Sequence, residues 1–430
     1  MPGLREKLEQ RIPELREEAL KLVRDQGEAV VSQVTVRQVF GGLRGVKGLV
    51  CDTSVVDPDQ GLVVRGIPIG ELADRLCEEV FYLLCTGELP DAEALGSLQA
   101  ELRKRAIVPP CVWDVLETMP RDAHPMTLFS IALLVMERES VFRRRYGEGM
   151  PKDAYWEATL EDCLRLLAKL PAVAAGIYRL HSHRGGPLPS NPRLDWAGDY
   201  AQMLGLCDHN GEFARLLRLY LILHCDHGGG NVSAFTCHTV GSALADPYYA
   251  LSAGLNGLAG PLHGLAAQEC LQFVREIRKK FNGVPSREQL CDYVRNTLQE
   301  GRVIPGYGHA VLRATDPRFT ALHQFGAYAC ADDEIFRIVD ALYAVVPEVL
   351  RHQGKTKDPW PNVNAISGAL FYHFGMTEID YYTVLFGVSR AMGLSAQLIL
   401  NRALGTPVAC PQSVSSEWIK SSIPLGQKAA

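Results

Sequence analysis

The stretch DYYTVLFGVSRAMGLSAQLILNRAL, Asp380 to Leu404, constrains the fold of this chain more than any other. It is apolar at helical spacing, yet glycine, alanine and serine recur on most of its faces, so no single stripe defines a solvent side. A helix of that kind has to be wrapped by other helices, because small residues let neighbouring backbones approach closely and leave no polar face for water. A second segment, EFARLLRLYLILHCDH from Glu212 to His227, is amphipathic instead, with Phe213, Leu216, Leu217, Tyr220 and Leu223 on one stripe. Strand-like alternation is scarce, and VVSQVTVRQVF, Val30 to Phe40, is the best case of it. The pattern predicts an all-α protein. Its 430 residues exceed what one core usually supports, so two domains are expected.

Composition excludes several classes of function. With 47% hydrophobic and 22% charged residues the chain reads as globular, and a formal net charge of -5 leaves no broad basic surface for nucleic acid. The RRRY cluster at Arg143 to Tyr146 reads as a solvated helix face. Twelve cysteines are scattered from Cys51 to Cys410 without a C-x-x-C pair, which suggests neither a zinc site nor a disulfide framework and suits a reducing compartment. The N-terminal stretch mixes acids and bases at helical spacing, unlike a signal or transit peptide, and charge or glycine interrupts every long apolar run. A cytoplasmic protein without a membrane span is the expectation. The Pro/Gly-rich stretch His183 to Trp196 reads as a surface connection, and no internal repeat is visible.

Three histidines are bracketed by glycine: HCDHGGGNVSA at His224 to Ala234, GLAGPLHGLAAQE at Gly257 to Glu269, and VIPGYGHAVLRATDPR at Val303 to Arg318. Glycine lets backbone approach a ligand, and histidine titrates near neutrality. Each alone is as readily a residue that closes a helix turn; three together point to a site. His224 and His227 are three apart and could share a helix face, but H-x-x-H without a glutamate base or third ligand does not make a metal site. The glycines of PGYGH lack the third glycine and the preceding strand of a dinucleotide fingerprint.

These segments, with GGLRGVKGLVCDTSVVDPDQGLVVRG at Gly41 to Gly66 and LFGVSRAMGLSAQLILNRALGTP at Leu385 to Pro407, resemble the citrate synthase family in its long, mitochondrial-type form. The resemblance runs almost end to end. It implies a two-domain helical subunit, with residues 1–264 and 376–430 in a large domain and 265–375 in a small one, assembled as a homodimer. It implies that His263 stabilises the enol of acetyl-CoA, that His309 polarises and then protonates the ketone of oxaloacetate, and that His227, Arg318 and Arg390 hold the oxo acid. Coenzyme A contacts are implied at Arg313, Lys357 and Asn362 and along Pro305, Gly306 and Gly308, with Arg44 and Lys152 at phosphate positions. Lys152 stands where the family usually has arginine, which keeps the charge and loses the bidentate fork. No permanently bound cofactor is implied, acyl-CoA being a co-substrate.

The departures bear on the chemistry. Enolising a thioester methyl needs a base within hydrogen-bond reach and a donor at the developing oxygen. In PNVNAISG, Pro361 to Gly368, Asn364 occupies the position of the family's catalytic aspartate, and Ile366 stands where histidine is common. An amide has no useful basicity, and losing a positioned base costs roughly a hundred- to ten-thousand-fold in rate. Cys410 stands at the arginine that the family lends to the neighbouring subunit, and Gln412 at a usual lysine. Expected, then, is a condensing enzyme with attenuated or redirected activity, joining acetyl-CoA, or a malonyl-type CoA that loses carbon dioxide and needs no base, to oxaloacetate or a related 2-oxo acid with one carboxylate or a longer substituent in place of the second. The alternative is an inactive paralogue that binds CoA thioesters or a protein partner. A pure scaffold has no need for five convergent polar side chains.

Overall fold

The computed structural model describes residues 3–309, 311–354 and 358–423. The helix Tyr382–Leu404, preceded by a 3-10 turn at Ile379–Tyr381, is buried along almost its whole length and ends at Gly405, whose left-handed φ of 67° caps it. It packs against the helices Tyr155–His181, Cys77–Thr86, Pro247–Asn256, Val232–Ser242 and Glu212–Leu223. By length and composition it could cross a membrane, but 89% of its most apolar window is buried inside the protein, as suits a core helix.

The amphipathic reading of Glu212–Leu223 matches its packing: the five stripe residues are buried. The helix stops at Leu223, where the backbone N–H of His224 donates to the Tyr220 carbonyl at 3.2 Å. His224 and His227 therefore do not share a helix face; His227 lies in the turn that follows. Arg143, Arg144 and Tyr146 are exposed on the helix Val141–Gly147, in keeping with a solvated face.

The strand expected at Val30–Phe40 is not one. Val36–Phe40 is a short helix whose N-cap Thr35 accepts from the Gln38 N–H at 3.3 Å while Gln38 Oε1 accepts from the Thr35 N–H at 3.1 Å. Alternation needs a neighbouring strand to pair with, and among the described residues this segment has none. The antiparallel sheet lies later, in β1 (Ser54–Asp57), β2 (Gly61–Val64) and β3 (Ile67–Pro68), ordered β1-β2-β3.

The helices Ala266–Phe281, Arg287–Gln299, Glu334–Gln353 and Asn364–His373 pack largely on one another, and Pro317–Ala329 bridges from them to Glu212–Leu223. One hydrophobic cluster runs from Leu4 through both groups of helices to Ala403. The histidine segments lie at the helix ends where the two groups meet: the turn after Leu223, the turn before Ala266 and the loop before Pro317.

Candidate active site

Arg390 projects from the buried Tyr382–Leu404 helix. Its Nε donates to the His224 carbonyl at 3.1 Å, its Nη1 to Asn231 Oδ1 at 3.3 Å, and its guanidinium lies 4.9 Å from the Phe386 ring centre. All three partners are neutral. Burial pulls the Arg390 pKa down to about 10, with the nearby Asp226 charge opposing, so the group stays cationic at neutral pH. A buried cation with only neutral partners favours an incoming anion.

Arg318 is placed differently. Asp316 caps the helix that begins at Pro317, accepting the Arg318 N–H at 3.0 Å, and its carboxylate grips the guanidinium through Nε at 3.0 Å and Nη2 at 2.8 Å. Burial acts to raise the Asp316 carboxyl, but Arg318 outweighs it and holds the group below its usual range. Asp316 also accepts the Val363 N–H at 3.1 Å, which ties TDPR to PNVN. One edge of the Arg318 fork is therefore spent inside the protein.

The histidine rings have fixed roles. His309 Nδ1 accepts the N–H groups of Val311 and Leu312, both at 3.1 Å, so its proton sits on Nε2. His263 Nε2 accepts the Ser233 N–H at 3.3 Å and lies 3.0 Å from Ser233 Oγ, so its proton sits on Nδ1. His227 and His309 face each other with ring centres 6.1 Å apart, and His263 lies 6.0 Å from the same Phe386 ring that Arg390 covers. Burial, then Arg390, lowers His263 to about 4. Burial, then Arg318, lowers His309 and takes His227 well below the ordinary histidine range, Arg390 adding to the latter. All three are neutral at pH 7, and two of them are N–H donors held by backbone.

Asn364 opens the helix Asn364–His373. Its backbone N–H and its Nδ2 both donate to Asn362 Oδ1, at 3.0 and 3.1 Å. Asn362 in turn donates from its backbone to the Gly306 carbonyl at 2.8 Å and from Nδ2 to the Gly308 carbonyl at 3.2 Å. Gly306 and Gly308 have φ of 80° and 88°, and a Cβ on Gly306 would lie 2.7 Å from Ala365 Cα. The 305–309 loop and the 361–364 turn thus form one hydrogen-bonded unit around Asn364. Among the described residues no carboxylate hydrogen-bonds the rings of His263 or His309, or the Asn364 side chain.

The remaining expected positions separate into two groups. Arg313 is exposed beside His309, its backbone N–H bonded to the Pro58 carbonyl at 2.8 Å, and Pro305 lies in the same loop. Lys357 lies outside the described residues. Arg44 is exposed in the turn after Phe40, and Lys152 is exposed in the short turn Lys152–Ala154, whose Asp153 carbonyl accepts from Arg16 at 3.2 Å. No hydrogen bond or ion pair among the described residues brings either to the histidines. Cys410 and Gln412 are exposed too, whereas Ile366 is fully buried in the core. Sequence reasoning missed Asp316, Asn231, Ser233 and Phe386. The first two carry a readable signal, since each precedes a helix as an acid or amide N-cap.

Comparison with known proteins matches residues 42–407 to the family model described as citrate synthase, C-terminal domain. The chain is 46% identical over 427 residues to a mitochondrial citrate synthase of Saccharomyces cerevisiae, covering 97% of this chain and 89% of that protein. Among solved structures, citrate synthase from Pyrobaculum aerophilum superposes with a TM-score of 0.78 at 27% identity, over 87% of this chain and 92% of that one. Citrate synthase from Thermoplasma acidophilum, in a ternary complex with carboxymethyl coenzyme A and oxaloacetate, superposes with a TM-score of 0.73 over 93% and 99% of the two chains; at 21% identity it speaks to the fold alone.

Proposed function

The chain belongs to the citrate synthase family, and from that premise we propose that it joins an acyl-CoA to a 2-oxo acid by a Claisen-type condensation. The observation that carries the reading is the pair of neutral histidines with backbone-fixed tautomers, His263 and His309, set beside two buried arginines. The His263 Nδ1–H donates to the thioester oxygen as charge develops there. The His309 Nε2–H donates to the ketone and passes its proton to the alkoxide once the carbon–carbon bond has formed. His227, Arg318 and Arg390 hold the oxo acid by its carboxylate.

The donor we propose is a malonyl-type CoA. Its carbon–carboxylate bond breaks, carbon dioxide leaves, and the electron pair becomes the enolate that His263 stabilises, so no base is needed. Supporting this is the Asn364 amide, which is hydrogen-bonded to Asn362 and has no proton affinity to offer. The acceptor we propose carries one carboxylate beside its ketone, because Arg318 is already half engaged by Asp316 and Cys410 stands where the family resemblance implies an arginine. Coenzyme A lies along Pro305 to Gly308 with Arg313, Lys357 and Asn362, and closure of the 265–375 domain over it excludes water. Arg44 and Lys152 serve the partner's site in a homodimer. The twelve unpaired cysteines suit a reducing compartment, the cytoplasm in our reading.

Thiol release with mass spectrometry of the products tests this, using oxaloacetate or a monocarboxylic 2-oxo acid with acetyl-CoA or malonyl-CoA, beside Asn364→Asp. Turnover only with malonyl-CoA, or only in the variant, supports it. Citrate formation from acetyl-CoA by the wild type at an ordinary enzyme rate removes the proposal for the donor. Binding of CoA thioesters with no turnover in any combination favours the second reading, a non-catalytic paralogue, which the same pinned Asn364 amide makes worth testing.

A further inference from the structure

One face of the buried helix Tyr382–Leu404 is bonded step by step to the turn that carries His227. Arg390 Nε donates to the His224 carbonyl at 3.1 Å, the Gly393 N–H to the Cys225 carbonyl at 3.1 Å, and Gln397 Nε2 to Asp226 Oδ1 at 2.7 Å and the Gly228 carbonyl at 3.4 Å. Residue 393 has to be glycine, because a Cβ there would lie 2.5 Å from both Asp226 Oδ1 and the Cys225 carbonyl. From the other side, Thr53 Oγ1 and Ser54 Oγ donate to Asp226 Oδ2 at 2.5 and 2.8 Å, and the Gly228 N–H donates to Ser54 Oγ at 2.8 Å. His227 is thus held between two immobilised neighbours. Among the described residues its own ring makes no hydrogen bond of this kind: its placement comes through the backbone on either side.

Asp226 is fully buried and its bonded partners are all neutral. Its charge is felt by Arg390, whose cationic form it favours. The charged and titratable groups around it are Arg390, the half-buried Cys51 thiol 3.2 Å from Thr53 Oγ1, the buried Cys225 and His227 itself. A carboxylate retained in that setting has three donors to satisfy it and a nearby cation to offset it.

We propose that Gln397 and Asp226 are positioning residues for His227: Asp226, locked by Thr53 and Ser54, and Gln397, which bonds Asp226 and the Gly228 carbonyl, set the imidazole opposite His309 and beside Arg390, and so set affinity for the carboxylate of the 2-oxo acid. The proposal deepens the oxo-acid reading of the site and rests on it for the ligand, but the geometry of the lock does not depend on it.

The test uses the full chain and the variants Gln397→Met, Gln397→Glu, Asp226→Asn and Asp226→Asn/Gln397→Glu. Two quantities are read: the oxaloacetate concentration that half-saturates thermal stabilisation, and the rate at which diethyl pyrocarbonate modifies His227 in the ligand-free protein, followed by peptide mass spectrometry. Gln397→Met is expected to raise the first about tenfold or more and to speed His227 modification several-fold, leaving His309 unchanged. In Gln397→Glu the new carboxyl can still donate to Asp226 Oδ1 while protonated and repels that carboxylate once ionised, so both defects grow as pH rises. The double variant restores a donor, an acceptor and one negative charge, and recovers both quantities relative to either single change.

An unchanged His227 rate in both Gln397 variants, or a double variant no better than Asp226→Asn, overturns the proposal. Should Gln397→Met not fold, the pH dependence of Gln397→Glu decides alone. If the wild type binds no oxo acid while His227 reactivity still follows the lock, the oxo-acid reading fails and the positioning role stands.

Discussion

In the function proposed above, a single amide, Asn364, stands where a proton-abstracting carboxylate would act. Asn364 Nδ2 gives a hydrogen to Asn362 Oδ1, a bond that a carboxylate at 364 has no hydrogen to make. Asn364→Asp therefore frees the side chain and adds a base in one step. Condensation of acetyl-CoA with oxaloacetate is expected to rise by roughly a hundred- to ten-thousand-fold, measured by thiol release. The histidines set the pH range. His263 is lowered from 6.5 to about 4, so between those values the unfolded chain binds more protons than the folded one. Stability therefore rises with pH across that window and is lost as pH falls toward 4, by at most about 3 kcal/mol from this group. Melting temperature against pH should show that slope, and a His263→Gln variant should lack part of it. Glycine bracketing made the three histidines legible in sequence. The tautomers were not, because they depend on Ser233, Val311 and Leu312 N–H groups that only the folded backbone aims at the rings.

Helices were read well where their burial was one-sided or complete, as in Glu212–Leu223 and Tyr382–Leu404, since a 3.6-residue period survives any tertiary context. The valine alternation at Val30–Phe40 misled because a strand is defined by its partner, and among the described residues no segment pairs with it. The loop elements are the most exacting. Gly306→Ala places a methyl 2.7 to 2.8 Å from Ala365 Cα and Cys270 Sγ at a φ of 80°. A loss of at least about 2 kcal/mol in denaturant unfolding is expected, together with loss of coenzyme A binding. A melting curve matching the wild type would show that the 305–309 loop is not packed as described.

Across the whole molecule, apolar side chains are exposed toward both ends of the chain, among them Val30, Val31, Phe40, Val50, Val408 and Trp418. We propose that a second copy of the chain covers them. Phe40→Asp is expected to shift sedimentation toward a smaller species and to weaken coenzyme A binding, since no hydrogen bond or ion pair among the described residues ties Arg44 or Lys152 to the histidines of their own chain. The exposed Cys410 carries a companion prediction. Cys410→Arg should tighten oxaloacetate by about tenfold to a hundredfold, in line with one charge-assisted contact, when titrated by calorimetry. An unchanged affinity would mean that position 410 does not reach an oxo-acid site in the assembly.

The helical architecture and the three glycine-bracketed histidines were legible in sequence alone, because periodicity, residue type and glycine placement are local properties, whereas the roles of Arg318, Arg390 and Asn364 were implied by the family resemblance. Tertiary structure decided how much of each group is left for a ligand. Arg318 is half spent on Asp316, Arg390 hydrogen-bonds only neutral groups among the described residues, and His227 is held through Asp226 and Gln397, which lie 171 positions apart. Those outcomes are sums of desolvation and hydrogen bonding over distant segments, and they exist only once the chain has brought them together.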